Sequence, residues 1–320
     1  MNILFVTYNR IGDAVLSTGI LNHLIDAHAE ARITIACGPP AAPLFQATPK
    51  VARVLALAKR RHSAHWLTLW RAAVGQRWDL VVDLRGSALA WTLWTRRRRV
   101  LRSAGGDLHR VRHIASVLDL DPPPSPRIWS GPEQDGAAAA LLPDGGPVLA
   151  IGPTANWGGK QWPAERFAAL IARLTGPGAI LAGARVAVLG AEAERPMARP
   201  VIDSVPSERR IDLFGRADLL TVFACLKRAA LYVGNDSGLM HLAAAAGAPT
   251  LGLFGPSREA LYAPWGPHTA VVRTDRGFAE IRNDPTYDYR SQTSWMTGLD
   301  VDKVEAAAVA LYQRAHAGAA

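Results

Sequence analysis

The chain has 320 residues, 49% of them hydrophobic and 20% charged, with a net charge of +9 and a pI near 10.1, which allows two ordinary domains with their own cores and excludes a disordered or fibrous chain. Its two cysteines, Cys37 and Cys225, are too few and too far apart for a disulfide scaffold or a thiolate metal site, and they suit a reducing compartment. Arg10 and Asp13 interrupt the apolar start that a signal peptide needs, and no run of about twenty apolar residues is free of His, Pro or charge, so a cytoplasmic protein without a membrane span is expected.

Residues 2–8 (NILFVTY) form a short apolar run, as in a parallel strand covered on both faces. The run ends at residues 9–13 (NRIGD), and apolar residues at helical spacing follow over 14–25, so Arg10, Gly12 and Asp13 occupy a strand-to-helix turn. Asp13 there is either an N-cap or a carboxylate held at the sheet edge. Residues 32–37, 51–56 and 79–84 read as further strands, the last ending at Arg85-Gly86-Ser87. Trp66, Trp70 and Arg71, then Trp91, Trp94 and Arg96 to Arg99, combine aromatics with cations. They read either as core tryptophans beside a solvated arginine run or as a patch for an anionic membrane. No nucleic-acid module is present, so that partner is not expected. Residues 109–120 look helical. The Pro-rich passage 121–126, Gly131-Pro132 and residues 144–147 bracket a boundary between domains 1–145 and 146–320.

A second alternating α/β pattern then opens. Residues 148–151 are a strand ending at Gly152-Pro153-Thr154, and Pro163 starts a helix over 164–174, which leaves Lys160 in a loop at the strand's carboxyl edge. It is either an ordinary surface lysine or a point charge for a phosphate. Residues 185–189 are the next strand, with Glu192 beyond its end as either an exposed helix-start residue or an acceptor for ribose hydroxyls. A helix over 219–227 leads into the most informative stretch, residues 231–257 (LYVGNDSGLMHLAAAAGAPTLGLFGPS). An apolar strand stops at a turn, Asn235, Asp236 and Ser237 supply N-cap chemistry, and an Ala-rich helix follows with Gly238 at its start and His241 one turn in. Orphan N–H groups at such an end favour anions, phosphate above all. Asp236 alone could be a plain cap and His241 a plain core residue; crowded into one strand-end turn, they point to a ligand. Residues 278–296 are polar and irregular and receive no assignment, and 301–316 form an amphipathic helix. Strands alternating with helices imply doubly wound parallel sheets.

Residues 231–257 resemble the signature of glycosyltransferase family 9, the heptosyltransferases of the lipopolysaccharide inner core, and RIGDAVLSTG at 10–19, KQWPAERF at 160–167 and WMTGLDVDKV at 295–304 resemble its other motifs. The resemblance implies the GT-B architecture, two Rossmann-like α/β domains facing across a cleft, the first binding the acceptor and the second the nucleotide-sugar. It implies an inverting, metal-independent transfer of heptose, with ADP-heptose as substrate, no cofactor and a lipid-linked oligosaccharide as acceptor, by a protein peripheral at the inner face of the cytoplasmic membrane. Asp13 would be the base and Lys160 the catalytic cation that stabilises the leaving group, with Arg10 and Gly12 beside the acceptor. Thr154, Lys160, Glu192, Asp236, Ser237, Gly238 and His241 would bind the donor. Trp295 stands where the family carries a cysteine, so no thiol cluster is expected. Another nucleotide-sugar donor and a non-catalytic binding protein are the alternatives, and a nicotinamide oxidoreductase lacks its G-x-G-x-x-G turn.

Overall fold

The computed structural model describes residues 1–58, 65–103 and 106–317. The chain divides into two compact units, Met1–Gly131 and Pro132–Ala320.

The first unit holds a parallel sheet of β1 (Asn2–Val6), β2 (Arg32–Cys37), β3 (Val51–Ala56), β4 (Trp78–Asp83) and β5 (Thr95–Val100), in the order β3-β2-β1-β4-β5. β1 lies at the centre, which is why Ile3, Leu4, Phe5 and Val6 are almost fully buried. The helix Ile11–Ala27 follows β1 and is buried along most of its length. At Gly19 it meets the Pro-rich passage so closely that a Cβ would lie 2.2 Å from the Pro124 carbonyl oxygen. Arg127 N–H donates to Thr18 Oγ1 at 3.0 Å and the Trp129 indole to Asn22 Oδ1 at 2.7 Å. The prolines therefore belong to the first unit. Helix Pro132–Leu141, inside the segment expected to close the first domain, belongs to the second, where Asp135 pairs with Lys227 at 3.0 Å. Arg96 to Arg99, which carried no strand assignment in the sequence, lie in β5: TRRRRV pairs with β4, Leu80 against Arg97, as an edge strand whose charged side chains blunt the edge.

The second unit holds a six-stranded parallel sheet of β6 (Val148–Gly152), β7 (Arg185–Val188), β8 (Arg210–Asp212), β9 (Leu231–Asn235), β10 (Thr250–Phe254) and β11 (Thr269–Arg273), in the order β11-β10-β9-β6-β7-β8. Its core joins Leu149, Ile151, Val186 and Val233 of the sheet to Phe167 of helix Ala164–Thr175 and to Val304, Ala308 and Leu311 of helix Val301–His316. Both units are Rossmann-like α/β folds, the two components of the GT-B class. Among the described residues no helix is long and apolar enough to cross a membrane.

Candidate functional site

In a doubly wound sheet the ligand crevice opens where the strand order reverses, beyond the carboxyl ends of the two strands that diverge. In the second unit these strands are β6 and β9, paired with Gly152 against Gly234. Asn235 ends β9 and is wholly buried. Its Oδ1 accepts from Trp162 N–H at 3.0 Å, and its Nδ2 donates to the Pro153 carbonyl at 2.8 Å. One amide thus ties the loop after β6 to the end of β9. Trp162 is a second anchor, its indole N–H donating to the Leu299 carbonyl at 2.8 Å and its ring meeting Phe167 edge-on.

Lys160 sits two residues before Trp162 on the 3₁₀ turn Gly158–Lys160. Both glycines are required by close approach: a Cβ on Gly158 would lie 2.5 Å from the Gln292 carbonyl oxygen, and one on Gly159 would lie 2.4 Å from the Trp157 ring. The unassigned polar segment explains this crowding. After a short helix, Phe278–Arg282, it lies along the lysine loop. Gly158 N–H donates to Gln292 Oε1 at 2.9 Å, the Trp157 indole to the Ser291 carbonyl at 2.7 Å, and Trp295 N–H to the Gly159 carbonyl at 3.0 Å.

The anchored loop brings Lys160 Nζ to 2.5 Å from Asp236 Oδ2. Asp236 is 6% exposed and the lysine side chain 24%, so the carboxylate is sequestered and the ammonium still reaches water. Helix Gly238–Ala245 begins next, with Ser237 in the N-cap position but not capping. Ser237 Oγ is buried and makes no hydrogen bond, and the same holds for Ser257 Oγ in the loop after β10. Tyr232 lies beneath the turn, with its phenol against Gly152 and Gly234: a Cβ on either would lie 2.1 or 2.4 Å from its oxygen. Burial holds that phenol's pKa above its ordinary value, and the nearby Ser237 hydroxyl offsets this only in part. Neither hydroxyl reaches hydrogen-bond geometry. The site so built offers one ammonium, free helix-start amides and an unengaged hydroxyl, which is the chemistry of an anion site. His241 lies one turn further on and is buried.

The structure brings Lys160, Asp236, Ser237 and Gly238 together, and places Thr154 and Glu192 differently from one another. Thr154 is buried beside β6 and donates to Glu194 Oε2 at 2.7 Å. Glu192 is exposed and takes Arg195 on both carboxylate oxygens, at 2.9 and 3.1 Å. Arg195 in turn reaches Asp212 and the Phe214 carbonyl.

The switch point of the first unit lies between β1 and β4. Asp83 closes the turn after β4 by accepting from Arg85 N–H, Ser87 N–H and Ser87 Oγ at 2.8, 2.9 and 2.5 Å. Arg85 also donates to Asn9 Oδ1 at 2.9 Å and so ties this turn to the one after β1. Asp13 is the third residue of its helix and Arg10 holds the N-cap position, which removes the capping alternative. The Asp13 carboxylate is half-buried, 3.8 Å from Arg110 Nε, and that guanidinium stacks on the Tyr8 ring at 4.7 Å. Gly12 is half-buried and Arg10 exposed. Sequence reasoning took Asn235 for helix-cap chemistry and Ser257 only as part of a second strand-end loop, and it passed over Tyr232, Glu194 and Arg110. A polar residue closing an apolar strand, as Asn235 does, was the available signal.

Residues 86–286 match glycosyltransferase family 9 (heptosyltransferase). The lipooligosaccharide heptosyltransferase 2 of Haemophilus influenzae is 30% identical over 135 residues, 41% of this chain and 38% of that protein. The lipopolysaccharide heptosyltransferase 2 of Salmonella typhimurium is 22% identical over 335 residues, 89% of this chain and 92% of that protein. The structure of Escherichia coli ADP-heptose lps heptosyltransferase II superimposes with a TM-score of 0.74 at 19% identity, covering 98% of this chain and 99% of that one, a likeness of fold.

Proposed function

The chain belongs to glycosyltransferase family 9, the heptosyltransferases, and on that premise we propose that it moves a heptose from ADP-heptose to the core of lipopolysaccharide, with inversion and without a metal ion. The observation that carries this reading is the Lys160–Asp236 pair, 2.5 Å apart at the switch point of the second sheet and beside a helix N-terminus. The ADP-heptose named for the Escherichia coli enzyme supports the choice of donor.

In this reading the acceptor hydroxyl gives its proton to Asp13 as its oxygen forms a bond to the anomeric carbon, and the bond from that carbon to the diphosphate breaks with its electron pair on the leaving oxygen. A single displacement inverts the centre. Lys160, the helix-start amides at Gly238 and the Ser237 hydroxyl receive the leaving charge, with His241 behind them, so the protein supplies the positive potential that a divalent ion would otherwise bring. Asp236, once released by Lys160, accepts from the sugar hydroxyls. Thr154 and Glu192 face the nucleoside, and Arg10 and Gly12 the acceptor. Because the acceptor is carried on a lipid, the enzyme works at the cytoplasmic face of the membrane, in contact through Trp91, Trp94 and Arg96 to Arg99.

The test is transfer, followed by mass spectrometry, from ADP-heptose to core lipid lacking heptose. Asp13→Asn should lower turnover by about a hundredfold or more and leave donor affinity unchanged. Donor binding without transfer by the unaltered protein would reduce it to a nucleotide-sugar-binding protein, and full turnover by Asp13→Asn would remove the base.

A further inference from the structure

The polar segment that leaves β11 folds round a cavity of about 460 Å³ in the second unit, and six of the ten residues lining it are serine or threonine. That volume falls in the range of about 300–1,000 Å³ that small-ligand sites occupy. The walls are one loop, residues 274–298, whose two ends meet at the turn after β10: a Cβ on Gly255 would lie 2.4 Å from Met296 Sδ and 3.5 Å from Thr274 Cγ2. Arg273 pins the outgoing end, its Nη2 donating to the Gly255 and Arg276 carbonyls at 3.1 and 3.0 Å. The returning end is pinned by Ser294 Oγ, which donates to the Gln161 carbonyl at 2.5 Å, and by Met296, which is wholly buried. Between them the chain turns at Asp284, which accepts from Thr286 N–H and Oγ1 at 2.8 and 2.6 Å, and at Asp288, which accepts from Arg290 N–H at 2.8 Å. The loop is thus held in shape at both ends and at its turns, as a binding loop on a rigid scaffold is.

Formal charge on the walls is cancelled in pairs. Arg276 reaches Asp284 at 2.7 Å and Glu280 at 3.2 Å, and Asp275 takes Lys303 at 2.7 Å. The Thr286 hydroxyl and N–H, together with Arg276, hold the Asp284 carboxyl down at about 2, so that pair stays ionic at any working pH. What remains on offer to a ligand is neutral. Thr274 Oγ1 donates to the Arg276 carbonyl at 3.0 Å and Thr286 Oγ1 to Asp284, so both keep only lone pairs for a visitor. Thr293 Oγ1 accepts from Ser291 Oγ at 2.9 Å and keeps its own proton to give, and Thr297 Oγ1 has no partner among the described residues. Trp295 adds an indole to the same walls, steadied by its N–H on the Gly159 carbonyl, by the Tyr287 ring at 5.7 Å and by the Arg276 guanidinium at 5.7 Å.

We propose that this cavity binds a neutral sugar ring, at a site separate from the diphosphate site. A sugar hydroxyl donates and accepts at once, and it matches walls on which hydroxyls of both kinds stand together. The C–H face of such a ring is apolar and gains by leaving water against the indole. A phosphate would need a cation that is not already paired, and Arg276, the one cation among the lining residues, is held by two carboxylates. None of Lys160, Asp236, Ser237 and Gly238 lines the cavity, which opens beyond β11, two strands from β9. The inference rests on the second unit alone, and sugar binding there can succeed or fail independently of transfer.

Calorimetry and saturation-transfer NMR on the full chain test this with two probes: methyl α-mannoside, a lone neutral ring, and core oligosaccharide stripped of lipid and phosphate, in which the ring belongs to a chain. At least one should bind, equally well with and without saturating ADP. Binding of both shows that a lone ring suffices, binding of the oligosaccharide alone places the ring within a chain, and either supports the proposal. Thr293→Val/Thr297→Val should weaken the probe about tenfold, the worth of two neutral hydrogen bonds, and should leave ADP affinity unchanged, which shows the variant folded. Trp295→Ala should weaken the probe by about tenfold or more, and Trp295→Phe, which restores an aromatic face, should keep most of the binding. Glucose 6-phosphate should bind no more tightly than methyl α-mannoside. Failure of both probes to bind, or full binding by the threonine and Trp295→Ala variants alike, overturns the proposal. So does displacement of the probe by ADP, since the cavity would then belong to the donor site, and so does a preference for the phosphorylated sugar.

Discussion

Removing Lys160 tests both the ion pair and the donor site. At 2.5 Å from Asp236 the gross attraction is about 7 kcal/mol at an effective dielectric of about 20. Most of this is offset by desolvation, and the lysine keeps contact with water. Lys160→Ala leaves a buried carboxylate without its partner. The full penalty for such an orphan is about 3–5 kcal/mol, and because the vacated lysine position admits water we expect about 2 kcal/mol, or a fall in Tm of about 4–8 °C. Asp236→Asn leaves only an ammonium that can turn to solvent and should cost about 1 kcal/mol or less. The double variant should recover part of the loss, as a coupled pair requires. Titration calorimetry then separates the functional roles. Lys160→Ala should weaken ADP by about ten- to a hundredfold, the worth of a charge-assisted hydrogen bond to phosphate. Asp236→Asn should bind ADP as well or better, since it frees the lysine and removes a negative charge, while the preference for ADP-heptose over ADP shrinks. A folded Lys160→Ala protein that binds ADP with unaltered affinity would refute the diphosphate role.

Asn235→Ala should cost about 2–4 kcal/mol, because it orphans Trp162 N–H and the Pro153 carbonyl together, and hydrogen exchange should rise in residues 153–163; unchanged protection there would count against the anchor. Tyr232→Phe should change stability by less than about 1 kcal/mol, since its hydroxyl makes no hydrogen bond, whereas Gly234→Ala should be severely destabilising, with its Cβ 2.4 Å from that oxygen and 2.9 Å from the Gly152 carbonyl. Burial raises the Cys37 thiol from its ordinary 9.0 to about 12 and the Cys225 thiol to about 11. The folded state thus holds these protons more tightly than the unfolded chain. The stability they contribute is complete below pH 9 and falls as the pH rises through 11 to 12, by about 1.4 kcal/mol per pH unit for each group. Urea midpoints across that range check the slope, and both thiols should resist disulfide reagents at pH 8 until the chain unfolds.

How much of the fold could be read depended on where a strand lies in its sheet. β1, β2, β4, β6, β7, β9 and β10 are interior strands covered on both faces, so they appear as apolar runs. The three that passed unread, β5, β8 and β11, are all edges. An edge strand has one neighbour and open water on its other side, so burial no longer selects its composition, and TRRRRV or RID carries no strand period. Of the four edges, β3 (VARVLA) and β11 (TAVVR) kept an apolar pattern, and β11 was passed over although its run was there to read.

The site divides along a different line. Lys160 and Asp236 were legible one by one from the kind of turn each occupies, but nothing local pairs two residues 76 positions apart. Their meeting follows from the pairing of β6 with β9, which sets Gly152 beside Gly234 and makes the two following loops neighbours. Glu192 and Glu194 show the limit of local reading: two acidic residues on one 3₁₀ turn, of which one faces Thr154 and the other Arg195. Asn235 has no reactive chemistry to flag it, yet its two hydrogen bonds set the distance from the β9 end to the Trp162 backbone, and Lys160 lies two residues from that point. The separation of ammonium and carboxylate is therefore controlled by a neutral amide, and a change at Asn235 should alter donor affinity without touching any group that meets the donor.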